Sequence, residues 1–439
     1  MLHGRRWRKP GRSIVLGLWM VLLAAPSARA AAPAAEDSIP PDSTLGLEWV
    51  ERAALARNPS LAAMREAWRE ARARADQAGA LEDPMLDAMV APRSLGSSAV
   101  DAGYRIGITQ RVPLFGQRGL RRRAAVAEGE ALAGDVATAR LDLLRDVRDA
   151  YYDYYKVCRG QETNRELAEL MRGFRKVALA KYAAGTVGQT DPLQAEAELA
   201  MLEHQRVVLA QQRRVIVSRM RALLHLSQLT VLPEPPRELP LPEMPETGEW
   251  MDVRLKAAWP ELQAAEARVR AGRAELALAR RERLPESALG VAYDRAWSEP
   301  ELRASVGLSL NLPLNLGRLG AREREKEAAL RRAEDERLAI RDRIDQAIEE
   351  ASAAFGEGIH DVGIMSDEVV PATERTVRAI QAAYEANRSD FLTLLNATRD
   401  LARTRLQLHE AVATAHQAHA RLLRALATDA ARPEQEEGR

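Results

Sequence analysis

The chain is built twice, and that duplication restricts its fold more than any other feature. GYRIGITQRVPLFG, from Gly103 to Gly116, returns in altered form as RASVGLSLNLPLNLG, from Arg303 to Gly317. In the first copy Tyr104, Ile106 and Ile108 alternate with Arg105, Gly107 and Thr109. In the second, Val306, Leu308, Leu310 and Leu312 alternate with Ser305, Gly307, Ser309 and Asn311. A period of two predicts strands with one apolar and one small polar face. Each strand ends in a Pro-Leu corner (Pro113-Leu114, Pro313-Leu314) and a Gly, after which a long, charged sequence of helical period begins. The spacing between copies is steady: 201 residues from Pro59 to Pro260, 200 from Pro113 to Pro313, 202 from Tyr182 to Tyr384.

The N-terminus carries Arg5, Arg6, Arg8, Lys9 and Arg12, an apolar run from Ile14 to Ala25, and the small-residue pattern Ala28-Arg29-Ala30. This is the layout of a secretory signal peptide, residues 1–30, cleaved after Ala30. Its removal takes six basic residues, so the formal charge of +1 becomes about −5, with 58 basic against 63 acidic residues. Nothing in that balance suggests nucleic-acid binding. The single cysteine, Cys158, permits no intrachain disulfide and no lipid anchor behind the signal peptide.

Residues 31–43 read as a loose leader. The first repeat, 44–229, predicts a helix from Thr44 to Ala80 broken at Asn58-Pro59, strands at about 84–92 and 103–112, and an exposed loop between them. A helix then runs from Gln117 to about Ala184, with Leu144, Val147, Tyr151, Tyr154, Cys158, Leu167, Leu170, Phe174 and Val177 forming its seam. At 1.5 Å per residue this is a rod of about 100 Å. Gly185 to Thr190 breaks it. A second helix is expected from Asp191-Pro192, capped by Thr190 or Asp191, to about Gln228. Six prolines in 230–249 exclude helix and make that stretch a linker. The second repeat, 250–427, has a helix to about Arg283 with a break at Trp259-Pro260, strands at about 286–294 and 303–312, and a long helix from Gly320 to Ala386. A turn near Asn387 and a return helix to Ala427 complete it, and 428–439 reads as a disordered tail. In each half the two shorter helices sum to nearly the length of the long one, so stacked end to end they can lie beside it.

The mature sequence holds no run of about 18 apolar residues, so a membrane can be crossed only by strands. Four strands cannot close a barrel, because transmembrane barrels start at eight and an open edge in lipid leaves backbone groups unpaired. The chain must therefore assemble. Turning Val306, Leu308, Leu310 and Leu312 toward lipid leaves Ser305, Ser309 and Asn311, and in the first copy Arg105, Thr109 and Arg111, on a lumen. The two arginines would make that lumen mildly unfriendly to cations. Phe115 and Trp297 are candidate interfacial aromatics.

The double repeat, the Pro59 and Pro260 breaks, the corners, and the motifs Tyr182-Ala-Ala-Gly185 to Asp191-Pro-Leu193-Gln-Ala195 and Tyr384 to Leu395-Asn-Ala397 resemble the TolC family of outer-membrane efflux channels. The resemblance covers nearly the whole mature chain. It implies an α+β membrane protein: a homotrimer whose twelve strands form one barrel in the outer membrane of a Gram-negative bacterium and whose twelve helical columns form a periplasmic tunnel. It implies a periplasmic adaptor and an inner-membrane pump as partners. Gln110 to Arg123 is similar to the corner of outer-membrane components of heavy-metal efflux systems of the resistance-nodulation-division type, which points to metal cations or drugs as cargo. The family places the two Tyr motifs at the closed periplasmic tip, so Tyr182, Thr190, Asp191, Tyr384, Arg388 and Asp390 are the gate candidates. Asn387 stands where the family usually has Gly, and Asn tolerates the left-handed backbone that Gly would adopt.

His409, His416 and His419 lie close on the last helix. His419 falls on the Leu408, Val412, Ala415, Leu422 seam, and with no acidic or cysteine ligand at a useful spacing, packing is the expected role. No catalytic or cofactor motif appears in a supporting context, so no enzyme is expected. The competing readings are the channel of a type I protein secretion system and a periplasmic structural or adaptor protein. An adaptor needs an all-β lipoyl-like module, and a coiled coil leaves the repeated strands unexplained.

Overall fold

A computed structural model describes residues 44–91, 103–113, 115–243, 259–295 and 303–430. The signal peptide, the leader, the loop carrying Ser94 to Asp101, Trp297, the start of the helix expected from Trp250 and the tail beyond Ala430 lie outside the described residues.

In the first repeat, helices α1 (Leu47–Arg57) and α2 (Pro59–Ala78) precede strands β1 (Met85–Ala91) and β2 (Gly103–Val112). Helices α3 (Gln117–Ala183) and α4 (Thr190–Leu223) follow. The second repeat gives α5 (Pro260–Arg281), β3 (Glu286–Asp294), β4 (Ala304–Asn311), α6 (Leu316–Ile364), a π-helical turn (Met365–Val369), α7 (Val370–Glu385) and α8 (Phe391–Ala425). The long helix expected from Gly320 to Ala386 thus starts earlier and is interrupted. Asn315 starts it by accepting from the Arg318 amide at 3.0 Å. Pro371, which lacks an amide hydrogen and crowds the preceding turn, accounts for the π turn just before it.

The same turn chemistry closes both halves. At one end Gly185 (φ 70°) and Asn387 (φ 55°) are left-handed, and the amides of Thr186 and Arg388 donate back to Lys181 O and Ala383 O at 3.0 and 2.8 Å. At the other end His225 (φ 50°) and Ala427 (φ 52°) terminate α4 and α8 in the same conformation, before the Gln228 and Ala427 limits expected from pattern alone. These are helix C-termini finished by a residue that accepts positive φ.

The end-to-end stacking of short helices has a repeated joint. Asn58 accepts from the amides of Ser60 and Leu61 at 3.0 and 3.2 Å, which caps α2, and its Nδ2 donates to Leu223 O at the end of α4 at 3.1 Å. Trp259 holds the equivalent place, and its Nε1 donates to Ala425 O at the end of α8 at 3.0 Å. Different side chains carry one joint. Around the second, Leu141, Ile348, Phe355 and Leu422 form a buried cluster.

Midway along α3 the interrepeat linker is strapped to the rod. Tyr151 Oη donates to Leu45 O at 2.8 Å, and Tyr154 and Tyr155 reach Leu232 O and Arg237 O at 3.3 Å each. Leu45 N donates to Glu234 O at 2.9 Å, so the two extended segments also hold each other. The expected seam holds from Leu144 to Cys158, all buried. Below it, Met171, Phe174 and Ala178 are buried while Leu170 is exposed. Phe174 keeps its expected place, while Met171 and Ala178 take the buried positions beside half-buried Val177, so the stripe is displaced by one residue at its ends only. The tail also differs from expectation: Thr428–Ala430 is a 3-10 turn, because buried Asp429 pairs with Arg148 at 2.7 Å.

The four strands form one antiparallel sheet in the order β1-β2-β3-β4, leaving β1 and β4 as edges.

Candidate functional site

Two regions carry the candidate residues: the faces of the sheet and the tip where α3 meets α4 and α7 meets α8.

Strand register sorts the sheet into two faces, since directly paired residues share a side. Pairing Ile106 with Ala88 and Tyr293, Ile108 with Leu86 and Val291, and Leu289 with Leu308 places the large apolar side chains together. Most of them are exposed, Leu308 by 63% and Val306 by 81%. The opposite face carries Arg105, Thr109, Arg111, Ser305, Ser309 and Asn311, as the alternation predicts, together with exposed Met85 and Met89 of β1. Its centre is lined by Gly107, Ala292, Gly290 and Gly307. A Cβ on Gly107 would meet that of Ala292 at 3.2 Å, a contact tighter than most.

The polar face is not cationic, contrary to the reading from Arg105 and Arg111. Arg105 stands opposite Asp294, Arg111 reaches Glu82 at 3.4 Å, and Thr109 donates to Asp87 at 3.2 Å. Glu286 joins the same face opposite Asn311. Sequence reasoning missed these carboxylates because Asp87, Asp294 and Glu286 come from β1 and β3, whose alternation is weaker, and Glu82 from the segment before β1, and only the register puts them beside the arginines.

At the tip the two hairpins are joined by one direct bond between candidates. Tyr384 Oη donates to Asp191 Oδ2 at 3.1 Å. Burial and then the Asp191 charge raise the Tyr384 pKa well above the ordinary phenol value, so the tyrosine remains a donor across physiological pH. Its ring packs edge-on to Phe391 with centroids 5.6 Å apart, over Leu394 and Leu395.

Lys181, which the sequence did not single out, completes the junction. Its Nζ lies 4.3 Å from the Tyr384 ring centroid, donates to the Tyr384 carbonyl, and reaches Asn387 Oδ1 at 2.7 Å. A cation over an aromatic face beside two acceptors is favourable. The available signal was positional: Lys181 sits one residue before the first tip tyrosine, as Ala383 does before the second.

The remaining candidates play local parts within the protomer. Neither Thr190 nor Asp191 caps α4, which starts at Thr190 behind Gln189 with no side-chain cap; the Asp191 carboxylate is committed to Tyr384 and to the Thr190 hydroxyl at 3.4 Å. Asp390 caps α8, accepting from the Thr393 amide at 2.7 Å and hydroxyl at 3.0 Å, which lowers its pKa below the ordinary carboxylate value. Arg388 and Tyr182 are exposed, and the structure does not bring Arg388 to Asp191 or Tyr384.

The three histidines do not converge. His416, more buried than His419, stacks on Tyr152 at 4.6 Å; His419 faces Phe355 at 5.1 Å and His409 faces Tyr155 at 6.2 Å. Among the described residues no three His, Cys, Asp or Glu side chains are placed to hold a metal. Cys158 is buried, and burial pushes its thiol up to about 11, which leaves it unreactive.

A sequence profile for outer membrane efflux proteins matches residues 50–224 and 253–428, one segment in each repeat. No relative is found among curated protein sequences. Among solved structures, the outer membrane protein VceC of Vibrio cholerae superposes with a TM-score of 0.73 at 17% identity, covering 87% of this chain and 96% of that one. CusC gives 0.75 at 16% identity over 87% and 91% of the two chains. The MtrE outer membrane channel of Neisseria gonorrhoeae, solved in its open state, gives 0.74 at 19% over 87% and 88%. At such identities the likeness establishes the fold. With the profile matching both repeats, this chain belongs to the outer membrane efflux protein family of TolC-like channels, located in the outer membrane and extending into the periplasm.

Proposed function

We propose that the chain is one third of a passive exit duct, receiving substrate from an inner-membrane pump of the resistance-nodulation-division type through a periplasmic adaptor, with no chemistry of its own. The observation that carries this reading is the sorted sheet with two open edges. One face gathers the exposed large apolar side chains of β2, β3 and β4 with Leu86 and Val90, interrupted by Gln110; the other is mostly small, polar and charged, with Met85 and Met89 at its β1 margin; and among the described residues neither β1 nor β4 has an outer partner. Three copies supply twelve strands, which satisfy both edges and leave the apolar face to lipid. Arg105, Thr109, Arg111, Ser305, Ser309 and Asn311 then line the lumen together with Asp87, Asp294 and Glu286. The mixed charge removes the objection to cationic cargo, so metal ions and drugs both fit.

The closed entrance in this reading is held by the Tyr384 to Asp191 bond and by Lys181, which ties the two hairpins of one protomer. Tyr182, Thr190 and Asp390 shape the turns, and in this reading exposed Arg388, which has no side-chain partner among the described residues, serves the contact with a neighbouring copy.

The test is to purify the mature chain from membranes, look for a heat-sensitive trimer on gels, and record conductance in planar bilayers. A soluble monomer that opens no channels would end the duct reading. In the variants Asp191→Ala and Lys181→Met the expected result is conductance several-fold above the parent. Unchanged conductance in both would remove the gate and leave the duct.

A further inference from the structure

The strand-to-helix corner has a charge unlike the rest of the molecule. Residues 79–84, 110–124, 278–286 and 312–324 contain eleven arginines (111, 118, 121, 122, 123, 280, 281, 283, 318, 322, 324) and five acidic residues (Glu82, Asp83, Glu282, Glu286, Glu323). The excess is +6 in a mature chain whose whole balance is about −5. Four of the five carboxylates are already engaged. Glu82 meets Arg111, Glu286 meets Arg121 at 3.8 Å, Glu282 meets Arg322 at 2.9 Å, and Glu323 takes both Arg280 and Arg283 at 3.1 and 2.6 Å. Arg118 is spent on the Gly79 carbonyl at 2.7 Å, and Arg281 donates to Phe115 O.

Four exposed arginines remain without a carboxylate among the described residues: Arg122, Arg123, Arg318 and Arg324. Arg123 and Arg324 are equivalent across the duplication, and each reaches only a carbonyl of its own helix, Gly119 O and Gly320 O, both at 3.3 Å. All four stand within about 12 Å of the helix starts at 1.5 Å per residue, and a headgroup layer about 5 to 8 Å deep below the strand ends is within reach of their long side chains. Beside them Phe115, Leu312, Leu314 and Leu316 are more than half exposed, with Leu314 at 84%. At the far end of the apolar face Tyr104 and Tyr293 pair at 6.3 Å, marking its other margin. Apolar side chains that no protein covers, bordered by arginines that no carboxylate neutralises, are complementary to an anionic bilayer surface.

We infer that Arg122, Arg123, Arg318 and Arg324 form, in the assembled barrel, a collar that binds the headgroups of anionic phospholipid in the leaflet facing the periplasm. The inference rests on the barrel orientation proposed above. A phosphate diester offers the acceptors that free guanidinium groups lack here, and guanidinium is suited to bidentate phosphate contact. Clusters of this kind draw anionic lipid by roughly additive contributions that salt screens.

The experiment uses the full mature chain in phosphatidylcholine vesicles, with spin-labelled phosphatidylglycerol or phosphatidylcholine as the probe, and reads the motionally restricted fraction of each lipid. The expected association of phosphatidylglycerol relative to phosphatidylcholine is about threefold at low salt, falling toward one in 1 M salt, on the order expected for a partly screened basic cluster. The combined variant Arg122→Gln, Arg123→Gln, Arg318→Gln, Arg324→Gln is expected near one, and the matching four-lysine variant is expected to keep the preference. A parent ratio of one, or a preference that persists in the glutamine variant, overturns the collar. If the glutamine variant does not assemble, the salt titration of the parent decides: a preference insensitive to salt overturns it. None of these outcomes touches the duct reading, which conductance tests separately.

Discussion

His416 shows what a single side chain does in the packed middle of the bundle. It is buried against Tyr152, its Nε2 has no hydrogen-bond partner among the described residues, and burial, followed by the nearby His419, pushes its pKa down to about 4. His409 and His419 are lowered as well, each by burial first. The folded state therefore holds these rings neutral while the unfolded chain takes up protons near pH 6.5. Stability is full above about pH 6.5 and is lost progressively as pH falls toward 4. His416 alone is worth on the order of 3 kcal/mol across that interval by the usual conversion. Thermal unfolding at pH 7 and pH 5 checks this: His416→Phe is expected to flatten the acid limb, and an unchanged slope would count against it. The sequence pattern named His419 as the seam residue. The stacking partner that selects His416 comes from α3, 264 positions away, and no local pattern reports it.

Among elements, the joints explain how so many helices act as two continuous columns per repeat. Arg148 ties three of them. Buried on α3, it meets Glu51 of α1 at 2.6 Å and Asp429 of the terminal 3-10 turn at 2.7 Å. Burial opposes its charge, but the hydrogen bonds from Arg148 to Asp429 and Glu51 outweigh that and hold its pKa above the ordinary value. Removing one member of such a set strands the others, so Arg148→Ala is expected to cost about 3 to 5 kcal/mol. Denaturant unfolding of the solubilised protein measures it, and a loss below 1 kcal/mol would contradict the pairing. The elements themselves were largely legible. The alternation at Tyr104 to Thr109, the corners and the 67-residue α3 follow from short-range pattern. What escaped the pattern depends on distant partners: the π turn ahead of Pro371, the shift of the seam to Met171 and Ala178, Asp429 in the supposed tail, and Lys181 under Tyr384.

For the whole molecule, the decisive property is that the two sheet faces differ in chemistry, one largely apolar and one largely small, polar and charged. In the twelve-strand reading, Leu308→Arg places a guanidinium against hydrocarbon, at a cost of about 2 to 4 kcal/mol per copy near the midplane. Ser309→Arg places it in water. The first variant is expected to lose the heat-sensitive trimer from the membrane fraction and the second to keep it while altering ion selectivity. Equal behaviour of the two on gels would mean that the faces are not divided between lipid and water. The sorting of side chains onto two faces was readable from Val306 to Leu312 alone. The balance of charge in the lumen was not, because it depends on which strand lies beside which.

The unpaired edges of β1 and β4 also bear on the order in which the protein matures. A solitary chain can settle its rods, because the helical columns, the joints and the strap across α3 lie within one protomer. In the twelve-strand reading it cannot settle its staves, because the outer edges of β1 and β4 then pair only with other copies. Barrel closure is then a late, concentration-dependent event, with prefolded rods bringing the edges into register. On that reading a chain without neighbours presents an adhesive ribbon, and the time spent in that condition sets its exposure to misassembly.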